Sequence, residues 1–258
     1  VYKRQVREFP NGLSSPLWAR PILRRLRAQS GEESPFGNSL TTGRVVRFYA
    51  PLALTSFMSF FINPLTTFFL ARGRMPLESL AVLPVIVGLA FVFRTAGIAL
   101  QEVVIALVGD GGENRRALGR FALRVGVFSS AGLAAVVFTP LAGVWYGRVS
   151  GLSPELTAFS IVPGMLLVLL PFLESILAFQ RGLLVKAHRT APISTAVGAQ
   201  LAVTTAAFTL MVIFLKVVGA VTIGPALTAG YVAGVAVLLV VSRRADATAS
   251  SSAPSSAA

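Results

Sequence analysis

The chain has 258 residues, 54% of them hydrophobic and only 13% charged, with a net charge of +13, one histidine and no cysteine. Soluble domains carry roughly 25% charged residues, so this balance predicts an integral membrane protein. The lack of cysteine excludes disulfides, thiol catalysis and thiolate-held metals. The lone His188 leaves little for a histidine metal site or triad.

Residues 1–43 are polar, basic and rich in Pro, Gly and Ser. They read as a cytoplasmic linker. Within them Pro16–Ala28 has the pattern of a short amphipathic helix. Trp18, Ile22, Leu23 and Leu26 would face lipid, and Arg20, Arg24, Arg25 and Arg27 would face anionic headgroups. A solvated linker fits equally well. No aromatic residues are interleaved as in a nucleic-acid arm, so no nucleic-acid partner is expected. The chain opens on Val1, without a signal peptide, and is expected to be a piece of a longer protein.

Six apolar stretches follow over residues 44–242, at about 47–71, 77–108, 120–146, 156–180, 190–215 and 219–241. Each is long enough for a hydrocarbon core that needs about 20 helical residues. Residues 243–258 read as a disordered cytoplasmic tail. The expected fold is all-α, a polytopic bundle of six transmembrane helices.

The basic residues orient it. Nine lie ahead of or at the start of the first span, Arg47 being the last of them. Arg115, Arg116, Arg120 and Arg124 follow the second, Arg181, Lys186 and Arg189 the fourth, and Arg243 and Arg244 the sixth. The alternate segments hold only Arg72, Arg74, Arg148 and Lys216. Lys and Arg favour the cytoplasmic side, which predicts both termini inside, in a bacterial-type inner (plasma) membrane.

The spans are irregular. Pro51, Pro64, Pro84, Pro140, Pro163, Pro171 and Pro225 lie in or near them, and Gly230 and Gly234 form a small-xxx-small pair. The second span, at 1.5 Å per residue, would reach about 48 Å against a core of about 30 Å.

Ionisable groups at mid-membrane usually face a bundle interior or a watery cavity. Arg94 and Gln101 are seven residues apart and share a helix face, while Glu102 is turned roughly 80° away. All three are candidates for one polar wall. Arg94 and Glu102 are too far apart along the axis for a one-turn ion pair, so each needs a partner elsewhere. Glu174, just after Pro171, is a candidate partner for Arg94 or an independent proton or cation site. Thr55, Ser59, Asn63 and Thr66 form a polar stripe on the first span, with Asn63 a candidate neighbour of the cavity. Gln180 reads as a residue at the helix end. Each also has a structural reading, as an interhelical bond or a charge snorkelling to the interface. The Gly109–Asn114 turn lacks the phosphate-loop pattern, and no HExxH, GxSxG or paired acidic metal motif occurs. No enzymatic activity is expected.

The stretch RFYAPLALTSFMSFFINPLTTFFLARG (Arg47–Gly73), followed by LQEVVIALVGDGGENRRALGRFALRVG (Leu100–Gly126), resembles the start of one half of a MATE-type transporter. That superfamily contains multidrug, oligosaccharidyl-lipid and polysaccharide exporters. YAPLAL (Tyr49–Leu54), the LQE of Leu100–Glu102 and PFLESILAFQRGLLVKAHR (Pro171–Arg189) are most similar to the C-terminal half of progressive ankylosis-type transporters.

The resemblance implies a six-helix half-bundle that pairs with a second half, either a missing N-terminal half or a second copy, around a central cavity. It implies a secondary transporter or flippase working by alternating access on a small organic anion, a drug or a lipid-linked substrate. A proton or sodium gradient would drive it, with no bound cofactor. A non-transporting scaffold subunit and a homo-oligomeric channel remain open beside it.

Overall fold

The computed structural model describes residues 58, 60–109, 111–187, 189 and 191–251, with side chains through Val241. All belong to the unit Ala50–Ala258. The amphipathic stretch Pro16–Ala28, Thr55 and Ser59 of the polar stripe, His188 and the last residues of the tail lie outside the described residues.

Every regular element described is helical. Residues 60–72 form the described part of α1. It is followed by α2 (Pro76–Leu107) and α3 (Arg115–Val137). A short α4 (Leu141–Gly143) then runs into a π-helical turn at Val144–Val149. Next come α5 (Pro154–Met165), α6 (Leu170–Lys186), α7 (Ala191–Phe208) with a π-helical end at Thr209–Phe214, and α8 (Gly219–Ser251). Among the described residues four helices are long and apolar enough to cross a membrane, and five if the bent pair α5–α6 is one span.

The second stretch forms a continuous 32-residue helix through Pro84, and the stretches at 190–215 and 219–241 also fold as single helices. Two others are interrupted by proline. The third stretch breaks at Thr139–Pro140, where the Thr139 hydroxyl donates to the Ala135 carbonyl (2.7 Å) and accepts from the Leu141 N–H (3.3 Å). The fourth divides into α5 and α6, bent by 43°. Pro171 has no N–H to return to Leu167. The intervening residues close tighter i→i−3 bonds instead: Leu167 N–H to Gly164 O (3.1 Å), Val168 to Met165 (3.3 Å) and Leu170 to Leu167 (3.0 Å).

α6 is the hub, packing against α2, α3 and α8. Close approach to α2 is set by small residues. A Cβ on Gly97 would lie 2.8 Å from Ser175 Oγ, and one on Gly182 would lie 2.8 Å from Val104. The bend is also seated on a glycine, since a Cβ on Gly224 of α8 would come within 2.6 Å of the Leu166 carbonyl oxygen. The core runs through Phe69, Ile86, Leu133, Tyr146, Phe208 and Ile223, and the Phe69 and Phe208 rings stack at 5.3 Å.

Backbone groups freed at helix ends are met from other helices, as a low-dielectric surrounding demands. The Ser79 hydroxyl of α2 accepts from the Ala220 N–H of α8 (3.0 Å), and Ser130 of α3 accepts from Phe172 of α6 (3.0 Å). A parallel bridge between Arg74 and Val218 ties the α1–α2 turn to the turn before α8. At the other end, the α2–α3 turn reverses through Gly109 (φ 79°) and Gly112 (φ 75°), left-handed positions that favour glycine. The outer surface carries a belt of exposed apolar side chains, among them Phe121, Phe128, Phe138, Leu210 and Phe214. Such a belt suits contact with lipid.

Candidate functional site

Midway along α2, Arg94 points into the bundle. The Gly97–Ser175 approach brings α6 close enough for Glu174 to meet it. Arg94 Nη2 lies 2.5 Å from Glu174 Oε2, and Nε donates to the same oxygen at 3.2 Å. Tyr231 of α8 completes the group. Its hydroxyl donates to Glu174 Oε2 at 2.9 Å and accepts from Arg94 Nη2. The guanidinium also lies 5.2 Å from the Tyr231 ring centroid, within cation–π range. The side chains of Arg94 and Glu174 are 17% and 7% exposed. Three bonds thus converge on one carboxylate oxygen, and three helices are held by one charged network.

The network lines a cavity of about 710 Å³. Asn63, Thr66 and Thr67 line it from α1, the Leu83–Ile98 face of α2 forms one wall, and Gln200 of α7 faces it. The hydroxyls of Thr66 and Thr67 donate to carbonyls of their own helix, those of Ile62 and Asn63. Gly88 opens onto the space, with nothing among the described residues within 4 Å of where its Cβ would be.

Of the residues singled out in the sequence, Asn63, Thr66, Arg94 and Glu174 share this cavity. Gln101 and Glu102 lie further along α2 and do not line it; Glu102 is exposed. Gln180 is buried, and its Oε1 has no hydrogen-bond partner among the described residues.

Three cavity residues escaped the sequence reading. Tyr231 and Gln200 give no signal alone, because tyrosine and glutamine occur in ordinary spans. Arg181 was counted with the cytoplasmic charges, yet it lines the cavity, and its Nε is buried without a hydrogen-bond partner among the described residues. Its position seven residues after Glu174 was the available clue, since that spacing returns to the same helix face.

A second, smaller cavity of about 300 Å³ lies at the end of the bundle, between the glycine turn after α2 and the end of α6. Arg115, Lys186 and Arg189 line it. Among the described residues no group of side chains suited to hold a metal ion occurs.

Compared with known proteins, no family model matches the chain, and neither a curated protein nor a solved structure matches it.

Proposed function

We propose that this chain is part of a secondary transporter or flippase that works by alternating access, with the cavity of about 710 Å³ as its solute pathway. The observation that carries the reading is the Arg94–Glu174–Tyr231 network, a buried ion pair set between three apolar helices beside an open cavity of mixed polar and apolar lining. A buried ion pair is weak support for stability, since apolar replacements often serve as well. Ionisable groups inside a membrane commonly mark solute and ion pathways. The volume suits a solute of ordinary metabolite or drug size.

Two features support movement. The α5–α6 break sits on Gly224, where two backbones touch directly. The pair is also exchangeable: an anionic group of a substrate in the cavity would compete with Glu174 for Arg94. A proton or sodium gradient would supply the drive.

The bundle is taken as six spans, in the manner of a MATE-like half closed by a second half or a second copy. Arg115, Lys186 and Arg189 gather at one end of the bundle. This supports an orientation with that end in the cytoplasm of a bacterial-type inner membrane.

The test is uptake by the full-length protein in proteoliposomes, with Arg94→Ala and Glu174→Gln beside wild type. Gradient-dependent uptake of one solute class, lost in a folded variant, is the expected result. If no class is taken up while both variants stay folded and functional in cells, the scaffold reading replaces this one.

A further inference from the structure

We infer that the cavity's ligand is a small oxyanion, carrying a carboxylate or phosphoryl group, and that Arg181 is the residue that receives it. The inference deepens the transporter reading and rests on the same cavity.

It begins with a charge count. Among the described residues the cavity is lined by two guanidinium groups, Arg94 and Arg181, and one carboxylate, Glu174. The carboxylate is committed, because Oε2 already accepts two bonds from Arg94 and one from Tyr231. One positive charge is left over, and it belongs to Arg181.

Geometry points the same way. Arg181 Nε is buried without a hydrogen-bond partner among the described residues. A buried donor left unpaired is an exception that calls for an explanation, and a missing ligand is one. An arginine serving only topology would extend its head to the interfacial water. Here Nε is buried and the side chain, part-exposed as a whole, lines the cavity. Arg181 lies on the same face of α6 as Glu174, about 10.5 Å further along the axis, so a solute in the cavity has a cation beside the closed network. Guanidinium presents a planar fork of donors, the geometry that carboxylate and phosphoryl oxygens accept in pairs. Gln200 and Asn63 offer neutral hydrogen-bonding partners for the remainder of the solute. A cationic solute would be repelled by the surplus charge.

The experiment uses the full chain, purified in detergent and in proteoliposomes, as wild type, Arg181→Gln and Arg181→Lys. The probes are inorganic phosphate, succinate and glucose 6-phosphate, with tetraphenylphosphonium as the cation. Binding is read by thermal stabilisation and by equilibrium dialysis, and transport by gradient-driven uptake.

At least one oxyanion is expected to bind wild type, with Kd raised at least tenfold in Arg181→Gln. Arg181→Lys should retain part of the affinity, since it keeps the charge and loses the fork. The phosphate and succinate arms separate phosphoryl from carboxylate recognition. The ligand-free melting temperatures report folding independently, and if Arg181→Gln fails to fold, the Arg181→Lys arm decides.

Oxyanion binding that depends on Arg181 without any gradient-driven uptake would uphold this inference and remove the transporter reading. Gradient-driven uptake of tetraphenylphosphonium, insensitive to both substitutions, would do the reverse. Equal oxyanion affinity in a folded variant and wild type would also overturn it.

Discussion

If Arg94 and Glu174 act as one buried unit, removing either should harm the protein more than removing both. Arg94→Met leaves a carboxylate that is 7% exposed with only the Tyr231 hydroxyl to face it. Glu174→Leu leaves a guanidinium that is 17% exposed, with the same hydroxyl as its remaining acceptor. Breaking a buried pair from one side costs about 3–5 kcal/mol. The greater exposure of Arg94 and its place on the cavity put Glu174→Leu at the lower end of that range.

The double variant strands no charge and leaves only the Tyr231 hydroxyl unpaired, a penalty of about 1–3 kcal/mol. The two single losses should therefore exceed the double loss by about 3 kcal/mol or more when summed. That is more than a hundredfold in the unfolding equilibrium. The assay is equilibrium unfolding in mixed detergent and dodecyl sulfate micelles, followed by tryptophan fluorescence, in a double-mutant cycle. Additivity within about 0.5 kcal/mol, the behaviour of independent sites, would refute the reasoning.

Tyr231→Phe removes one donor to a charged acceptor and should destabilise by about 1.5–3 kcal/mol in the same assay, with slower uptake. Gly224→Leu drives a side chain into the Leu166 backbone at the α5–α6 bend and should cost about 1–3 kcal/mol, while Gly88→Ala, which meets nothing among the described residues, should be close to neutral. Ser79→Ala withdraws the acceptor that caps α8 across the bundle and should cost about 1 kcal/mol, read as faster amide exchange at Ala220.

Much of the architecture was legible because lipid leaves few options. Long apolar stretches bounded by basic turns must be helices, and the glycines after α2 announce the turn they make. Arg94 and Glu174 were legible for the complementary reason, that an ionisable group inside such a stretch needs a partner. The pairing itself was one of two options for Glu174, and what decides it is Gly97, whose missing Cβ lets α6 approach.

The rest depends on tertiary contacts that no single stretch records. Pro163 and Pro171 signal a disturbance but not its form, because the tighter bonds at 164–170 and the seat on Gly224 set the bend. The π-helical ends after α4 and α7 carry no residue signature. Arg181 has the same local sequence whether it snorkels outward or turns into the cavity. Gln101 and Glu102 looked inward by helical angle alone, but neither lines the cavity, and Glu102 is exposed.

The central claim is that solute crosses through the cavity beside Arg94 and Glu174. The chain has no cysteine, so Gly88→Cys places a single thiol on the cavity wall. Gradient-driven uptake by this variant in proteoliposomes should be measured before and after reaction with a bulky thiol reagent. Uptake that is present before modification and abolished after it, with the protein still folded, is the predicted result. Uptake that continues unchanged with the wall filled would contradict the account.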